Sequence, residues 1–155
     1  MPIDYGRYPA DWPAIRQRIL ARATRALPIP GSARELYVPC CEWCGAPDRH
    51  WIVRGDPANR AAWRLAAESE LLDDDGTPIT WVVLTIAHLG APHAGGTPGD
   101  KHDKHDVRDE NLAALCQRCH LLYDMDDHVR HAAETRRRRR TEAGQLTIEG
   151  LEATG

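Results

Sequence analysis

Apolar positions recur at helical spacing in two parts of the chain and run almost without interruption in a third. Trp12, Ile15 and Ile19 fall on one face of a helix that Asp11 would cap and Pro13 would open, with Pro28 and Pro30-Gly31 ending it. Residues 58–72, with Ala61, Ala62, Leu65 and Ala66, predict a second helix, closed by the turn Asp73-Asp74-Asp75-Gly76-Thr77-Pro78. From Ile79 to His88 the chain is β-branched and continuous (Ile79, Thr80, Val82, Val83, Thr85, Ile86), which predicts one strand ending at His88. A Gly/Pro-rich loop follows over 90–99, then a charged stretch over 100–110. A long helix is expected from about Cys116 to Arg137, and the tail from Thr141 onward has little to bury. Trp12, Trp43, Trp51, Trp63 and Trp81 read as core, and no internal repeat is present.

The 155 residues suit one domain with a modest core. No apolar run approaches the roughly 20 residues needed to span a bilayer, and the first residues lack a signal-peptide pattern. The expectation is a cytoplasmic protein with no membrane partner. The net charge of −3 is unevenly spread. Arg7, Arg16, Arg18, Arg22, Arg25 and Arg34 face only Asp4 and Asp11 in the first 34 residues, and Arg136, Arg137, Arg138, Arg139 and Arg140 are consecutive. Local patches decide phosphate binding. Arg16, Arg18, Arg22 and Arg136–Arg140 are therefore the expected nucleic-acid contacts, as a sequence-independent grip on phosphates.

The chemistry lies in two cysteine pairs and a histidine–asparagine–histidine series. In a reducing compartment Cys41-Glu42-Trp43-Cys44 and Cys116-Gln117-Arg118-Cys119 read as metal knuckles, because a two-residue spacer turns both sulfurs toward one ion. Together they predict a closed structural zinc site, with Cys40 as a bystander that breaks the spacing. Such a site leaves no open position for substrate. His88 opens into the loop and suits a general base near neutral pH, while His120 directly follows the last cysteine. On one continuous helix His120, Asp124 and His128 would share a side, and a histidine with a carboxylate suits a divalent metal. His93, His102 and His105 lie among Asp100, Asp103 and Asp106 and read as a solvated, substrate-facing loop.

Asn111-Leu112-Ala113-Ala114-Leu115-Cys116-Gln117-Arg118-Cys119-His120, with Cys41-x-x-Cys44-Gly45 upstream, resembles the HNH endonuclease family. The likeness covers Cys41 to Asp124, with an insertion at about 50–78. It implies an α+β chain with a strand–loop–strand–helix (ββα-metal) core stapled by a four-cysteine zinc site, between an N-terminal basic helix and a long C-terminal helix. One nuclease domain would fill 1–155: helix and linker over 1–39, core over 40–135, basic helix end and tail over 136–155. The resemblance implies DNA as substrate and a nicking endonuclease. His88 would be the general base, Asn111 would orient it or help bind metal, and His120 with Asp124 would hold catalytic Mg²⁺ or Mn²⁺. The family commonly has Asp before the base, and Ala87 stands there instead. That departure opens an alternative, a catalytically degenerate nucleic-acid-binding module. Oligomeric state and recognition sequence are not legible.

Overall fold

The computed structural model describes residues 5–29, 32–72 and 78–142. The chain divides into two compact units, Met1–His120 and Leu121–Gly155. The turn at 73–77, Pro30-Gly31 and the tail from 143 lie outside the described residues.

In the first unit, α1 (Trp12–Arg22) starts where expected, with Pro13 in the first turn, and it buries Trp12, Ile15 and Ile19; Asp11 holds the cap position, but its side chain makes no capping hydrogen bond. It ends at Arg22, short of the expected proline stop. Thr24–Pro28 is instead β1, paired antiparallel with β2 (Glu35–Pro39) in a hairpin. The segment read as a linker is thus a two-stranded ribbon, whose Tyr37 stands in solvent with its hydroxyl 3.0 Å from Glu35.

The segment 58–72 is not one helix. Asp56 and Asn59 accept hydrogen bonds from the Ala58 and Ala61 amides, and these side-chain-capped turns compete with helix nucleation. Trp63–Leu65 follows as β4, with Trp63 and Leu65 on one face and exposed Arg64 on the other, and only Glu68–Leu72 is helical (α2). The sheet order is β4–β3–β5, with β3 at Trp51–Arg54 and β5 at Ile79–Trp81. Arg118 holds the turn before β4 by donating to the Pro57 carbonyl.

The expected strand over 79–88 is two strands in different sheets. Between β5 and β6 (Leu84–His88), Val82 is wholly buried and bonds across to His50 and Arg49, so the chain leaves one ladder there. Val83 and Leu84 then donate to the Gln117 and Asp48 side chains. β6 pairs antiparallel with β7 (Leu112–Cys116), Ala87 opposite Ala113 and His88 opposite Leu112. The whole of β7 is buried, and with β6, α1 and the cysteines it makes the core.

The expected helix from Cys116 is also divided. α3 (Gln117–Tyr123) follows β7 directly, and α4 (Met125–Glu142) starts after Asp124. The expected continuous helix is interrupted after Tyr123, with His120 in α3 and His128 in α4, whose amide bonds the Asp124 carbonyl at 3.0 Å. In the second unit Arg136–Arg140 lie exposed on α4, where Arg138 reaches Glu142 one turn on. No helix among the described residues is long and apolar enough to cross a membrane.

Of the tryptophans read as core, only Trp12 is fully buried; Trp43, Trp51 and Trp81 are exposed and Trp63 is half-buried. Trp51 and Trp81 face each other across β3 and β5 on the outer side of a thin sheet, ring centroids 5.1 Å apart. A sheet covered on one side only leaves its other face to water.

Ile19, on α1, has no exposed surface and belongs to the core that includes β7. Ile19→Ala is expected to cost about 2–5 kcal/mol through lost burial and a residual cavity, read as a lower denaturant midpoint with unchanged slope.

Candidate metal centre and histidine site

The four cysteines of the two motifs converge. Sγ of Cys41, Cys44, Cys116 and Cys119 all lie within 4.8 Å of one another, and all four residues are buried. Among the described residues they are the one set of three or more His, Cys, Asp and Glu ligands so placed. A tetrahedral site with metal–sulfur bonds of about 2.3 Å has sulfurs roughly 3.8 Å apart. The Cys44 and Cys116 sulfurs are 3.7 Å apart. The cluster therefore fits a structural metal ion such as zinc.

Its electrostatics agree with that fit. Hydrogen bonds from Cys41 and Cys44, aided by the Cys119 amide and Arg54, pull Cys116 far below the ordinary thiol range. Hydrogen bonding to Cys116 and Cys41 pushes Cys44 up, and burial pushes Cys119 up to about 12. The sulfurs share hydrogen bonds and oppose one another's ionisation, and a divalent ion would favour the thiolate form of its ligands. Cys40 stays out, its thiol donating to the Val38 carbonyl at 3.4 Å and held neutral by burial.

The first knuckle is welded to β7 by the residue between its cysteines. The Glu42 amide donates to the Ala114 carbonyl at 2.9 Å, and Glu42 Oε2 accepts from the Ala114 amide at 2.7 Å. The Glu42 carboxylate also takes a two-pronged bond from Arg22 at 3.1 and 3.0 Å. Arg22 further donates to the Asp109 and Leu112 carbonyls at 2.7 and 2.6 Å. Its guanidinium thus joins α1, the knuckle and β7. Arg18 pairs with Asp109 at 2.7 Å in a solvent-exposed contact, and Arg16 is half-buried on α1.

His88, at the end of β6, is 4% exposed. Its ring stacks on Trp12 (centroids 5.6 Å, planes 16° apart), and Tyr8 packs against both rings. Nε2 is buried and has no hydrogen-bond partner among the described residues. Burial, with the nearby Lys104 charge, lowers the imidazole pKa to about 4, against the opposing pull of a Lys104 backbone hydrogen bond and of Asp106 and Asp103. The ring is neutral at pH 7.

His120 is set by the strand pair. Its Nδ1 lies 2.7 Å from Thr85 Oγ1, and the Thr85 hydroxyl donates to the Leu115 carbonyl at 3.4 Å. The Thr85 contact fixes the direction of the imidazole ring and leaves Nε2 on its far side. Thr85 and Ala87 share one face of β6, since side chains alternate along a strand. The position before His88 is thus on the face that carries Thr85.

Asn111 is fully buried and contacts the loop backbone: Nδ2 donates to the Asp106 carbonyl and Oδ1 accepts from the Ala91 amide, both at 2.8 Å. The Leu89 amide bonds the Asn111 carbonyl at 2.8 Å. One side chain thereby ties together the two ends of loop 89–111. Arg108 adds a bidentate pair to Asp106 (2.8 and 2.7 Å), which lowers the Asp106 pKa, and bonds the Ala91 and Pro92 carbonyls. The loop also crosses itself at Gly90 and Gly99, where a Cβ on Gly99 would lie 2.7 Å from the Gly90 carbonyl carbon. His93 sits 3.9 Å from Asp106, while Asp100 and Asp103 cap the His102 and His105 amides in tight turns. Asp124 lies between α3 and α4 in the second unit.

Several of these partners carried no sequence signal. Trp12 and His88 meet only because α1 packs on the β6–β7 pair. Trp63 was expected only as core and Arg54 carried no signal, while Arg22, expected as a phosphate contact, has its guanidinium engaged by Glu42 and by the Asp109 and Leu112 carbonyls. Thr85 alone had a readable hint, two residues from Ala87 on a strand. No family model, curated protein or solved structure matches the chain.

Cys119→Ser is expected to abolish the roughly one equivalent of metal that the wild-type chain should carry, measured by elemental analysis after exhaustive dialysis. Cys40→Ser should leave metal content unchanged.

Proposed function

We propose that the chain is a metal-dependent endonuclease of the HNH kind, which hydrolyses a phosphodiester bond in DNA on a ββα-metal core. The observation that carries this reading is the buried, neutral, unpartnered Nε2 of His88, at the end of the strand paired with the one that leads into Cys116–His120. A neutral imidazole with an unengaged ring nitrogen is in the form a general base requires. The HNH-like motif from Asn111 to His120 gives that base its reaction class.

His88 takes a proton from the attacking water on Nε2. Its depressed basicity comes chiefly from desolvation, so the negative charge of a phosphodiester beside it raises the pKa toward the working range. Trp12 holds the ring plane. Asn111 acts as a positioning residue, since its amide fixes loop 89–111 beyond His88. His120, oriented by Thr85, would present Nε2 to the divalent ion. When bound, Mg²⁺ or Mn²⁺ supplies a Lewis acid for the scissile phosphate and the leaving 3′ oxygen. Arg136–Arg140, exposed on α4, would grip phosphates without reading sequence.

A second reading has its own observation. Ala87 places a methyl group on the Thr85 face of β6, where the HNH pattern commonly has a carboxylate. The same core would then bind nucleic acid without cutting it.

Supercoiled plasmid incubated with Mg²⁺, Mn²⁺ or EDTA separates the two. The nuclease reading expects metal-dependent nicking that His88→Ala removes while fold and salt-sensitive DNA binding persist. Metal-loaded protein that binds DNA and cuts with neither ion would instead establish the binding module. Under the nuclease reading, Ala87→Asp should lower the metal concentration needed for half-maximal nicking.

The pH dependence of stability follows from His88. Its folded pKa, about 4, lies below the ordinary value of 6.5, so between these values the unfolded chain binds the extra proton. His88 therefore costs no stability above about pH 6.5, and stability falls as pH drops toward 4. His88→Gln should flatten that part of a melting-temperature profile.

A further inference from the structure

The inserted sheet reaches the cysteine cluster with two side chains. Arg54, the last residue of β3, points Nη2 at Cys116 Sγ, 3.7 Å away. Its Nη1 is buried and has no hydrogen-bond partner among the described residues. Trp63, opposite Arg54 in the β3–β4 register, donates its indole N–H to the Cys44 carbonyl at 2.7 Å. The same indole lies 3.7 Å from where a Cβ would stand on Gly45, the residue in left-handed backbone that closes the first knuckle. One pair of facing residues thus touches both halves of the cluster.

We propose that Arg54 is an outer-sphere partner of the metal centre: it neutralises part of the thiolate charge and slows metal loss, and the insertion at about 50–78 exists in part to deliver it. The inference rests on the reading of the four cysteines as a metal site. Four thiolates around a divalent cation keep a net charge of about −2, which is costly in a buried cluster unless cations or N–H donors face it. The Ala46 and Cys119 amides supply two donors, to Cys44 and Cys116. Arg54 supplies a full positive charge with directed N–H groups. Its own burial makes the same argument from the other side. A guanidinium with one nitrogen sequestered and unbonded is more favourable beside a four-thiolate cage than beside the less charged metal-free cluster. Trp63 fixes the approach by holding β4, and hence β3, against the knuckle backbone.

The test uses the full-length, metal-loaded chain and needs no nuclease activity. Zinc release to a coloured chelator is timed for wild type, Arg54→Leu, Arg54→Gln and Arg54→Lys, with circular dichroism on each. Arg54→Leu should release zinc about tenfold or more faster, in line with other outer-sphere partners of metal ligands. Arg54→Lys keeps the charge without the planar fork, and Arg54→Gln keeps an N–H donor without the charge; both should fall between. If Arg54→Leu does not fold, those two variants decide the matter. Wild-type release rates in folded Gln and Lys variants would overturn the role of Arg54. Wild-type protein that neither carries zinc nor takes it up would overturn the metal reading and this inference together, whereas a metal-loaded chain that cuts no DNA would leave the inference standing.

Discussion

The convergence of four sulfurs is the constraint from which the rest of the first unit can be followed. Cys41 and Cys44 belong to a tight knuckle, Cys116 ends β7 and Cys119 lies in α3, so one cluster sets a turn, a strand and a helix at once. Glu42, between the first two cysteines, extends the linkage: its backbone and carboxylate bond Ala114, and its carboxylate holds Arg22. Through Arg22 the cluster fixes α1, and α1 brings Trp12 onto His88. The path from metal centre to candidate base is a series of short, named contacts. In a chain of this size such a staple replaces part of the burial that a larger core would supply.

The histidines sit in contrasting settings made by the same two strands. His88 is packed against the Trp12 and Tyr8 rings and is neutral because burial disfavours its charged form. His120 is held by a hydroxyl that fixes the direction of its ring. Strand alternation places Thr85 and Ala87 on one face and His88 on the other, so the strand pair assigns each imidazole its surroundings. Loop 89–111 is long yet closed upon itself by Asn111, by the Arg108–Asp106 pair and by the close approach of Gly90 and Gly99. Long excursions of this kind are either disordered or held by their own side chains. This one is held.

The three-stranded sheet contributes to the centre without belonging to its core. Ile52 is wholly buried, and Arg54 and Trp63, on the same face, meet the cysteine motifs. The outer face keeps Trp51 and Trp81 as an exposed aromatic pair. A segment that reads as an insertion is therefore integrated on one side and open on the other.

The sequence by itself determined the features that depend on local spacing. The cysteine knuckles, the Trp12–Ile15–Ile19 face of α1 and a strand ending at His88 all follow from residues within one turn or one strand of each other. It misjudged what depends on pairing partners. The β-branched run over 79–88 has one propensity throughout, yet its break at Val82 is decided by which neighbours bond each half. Alanines over 61–66 favour a helix in isolation, but Asx turns and pairing with β3 made Trp63–Leu65 a strand. Arg22 carries the same side chain as Arg16 and Arg18, and only packing against Glu42 made it a joint between α1, the first knuckle and β7. Hydrogen-bond partners distant in sequence leave no periodic trace, so the tertiary structure alone decided the surroundings of His88, His120 and Cys116.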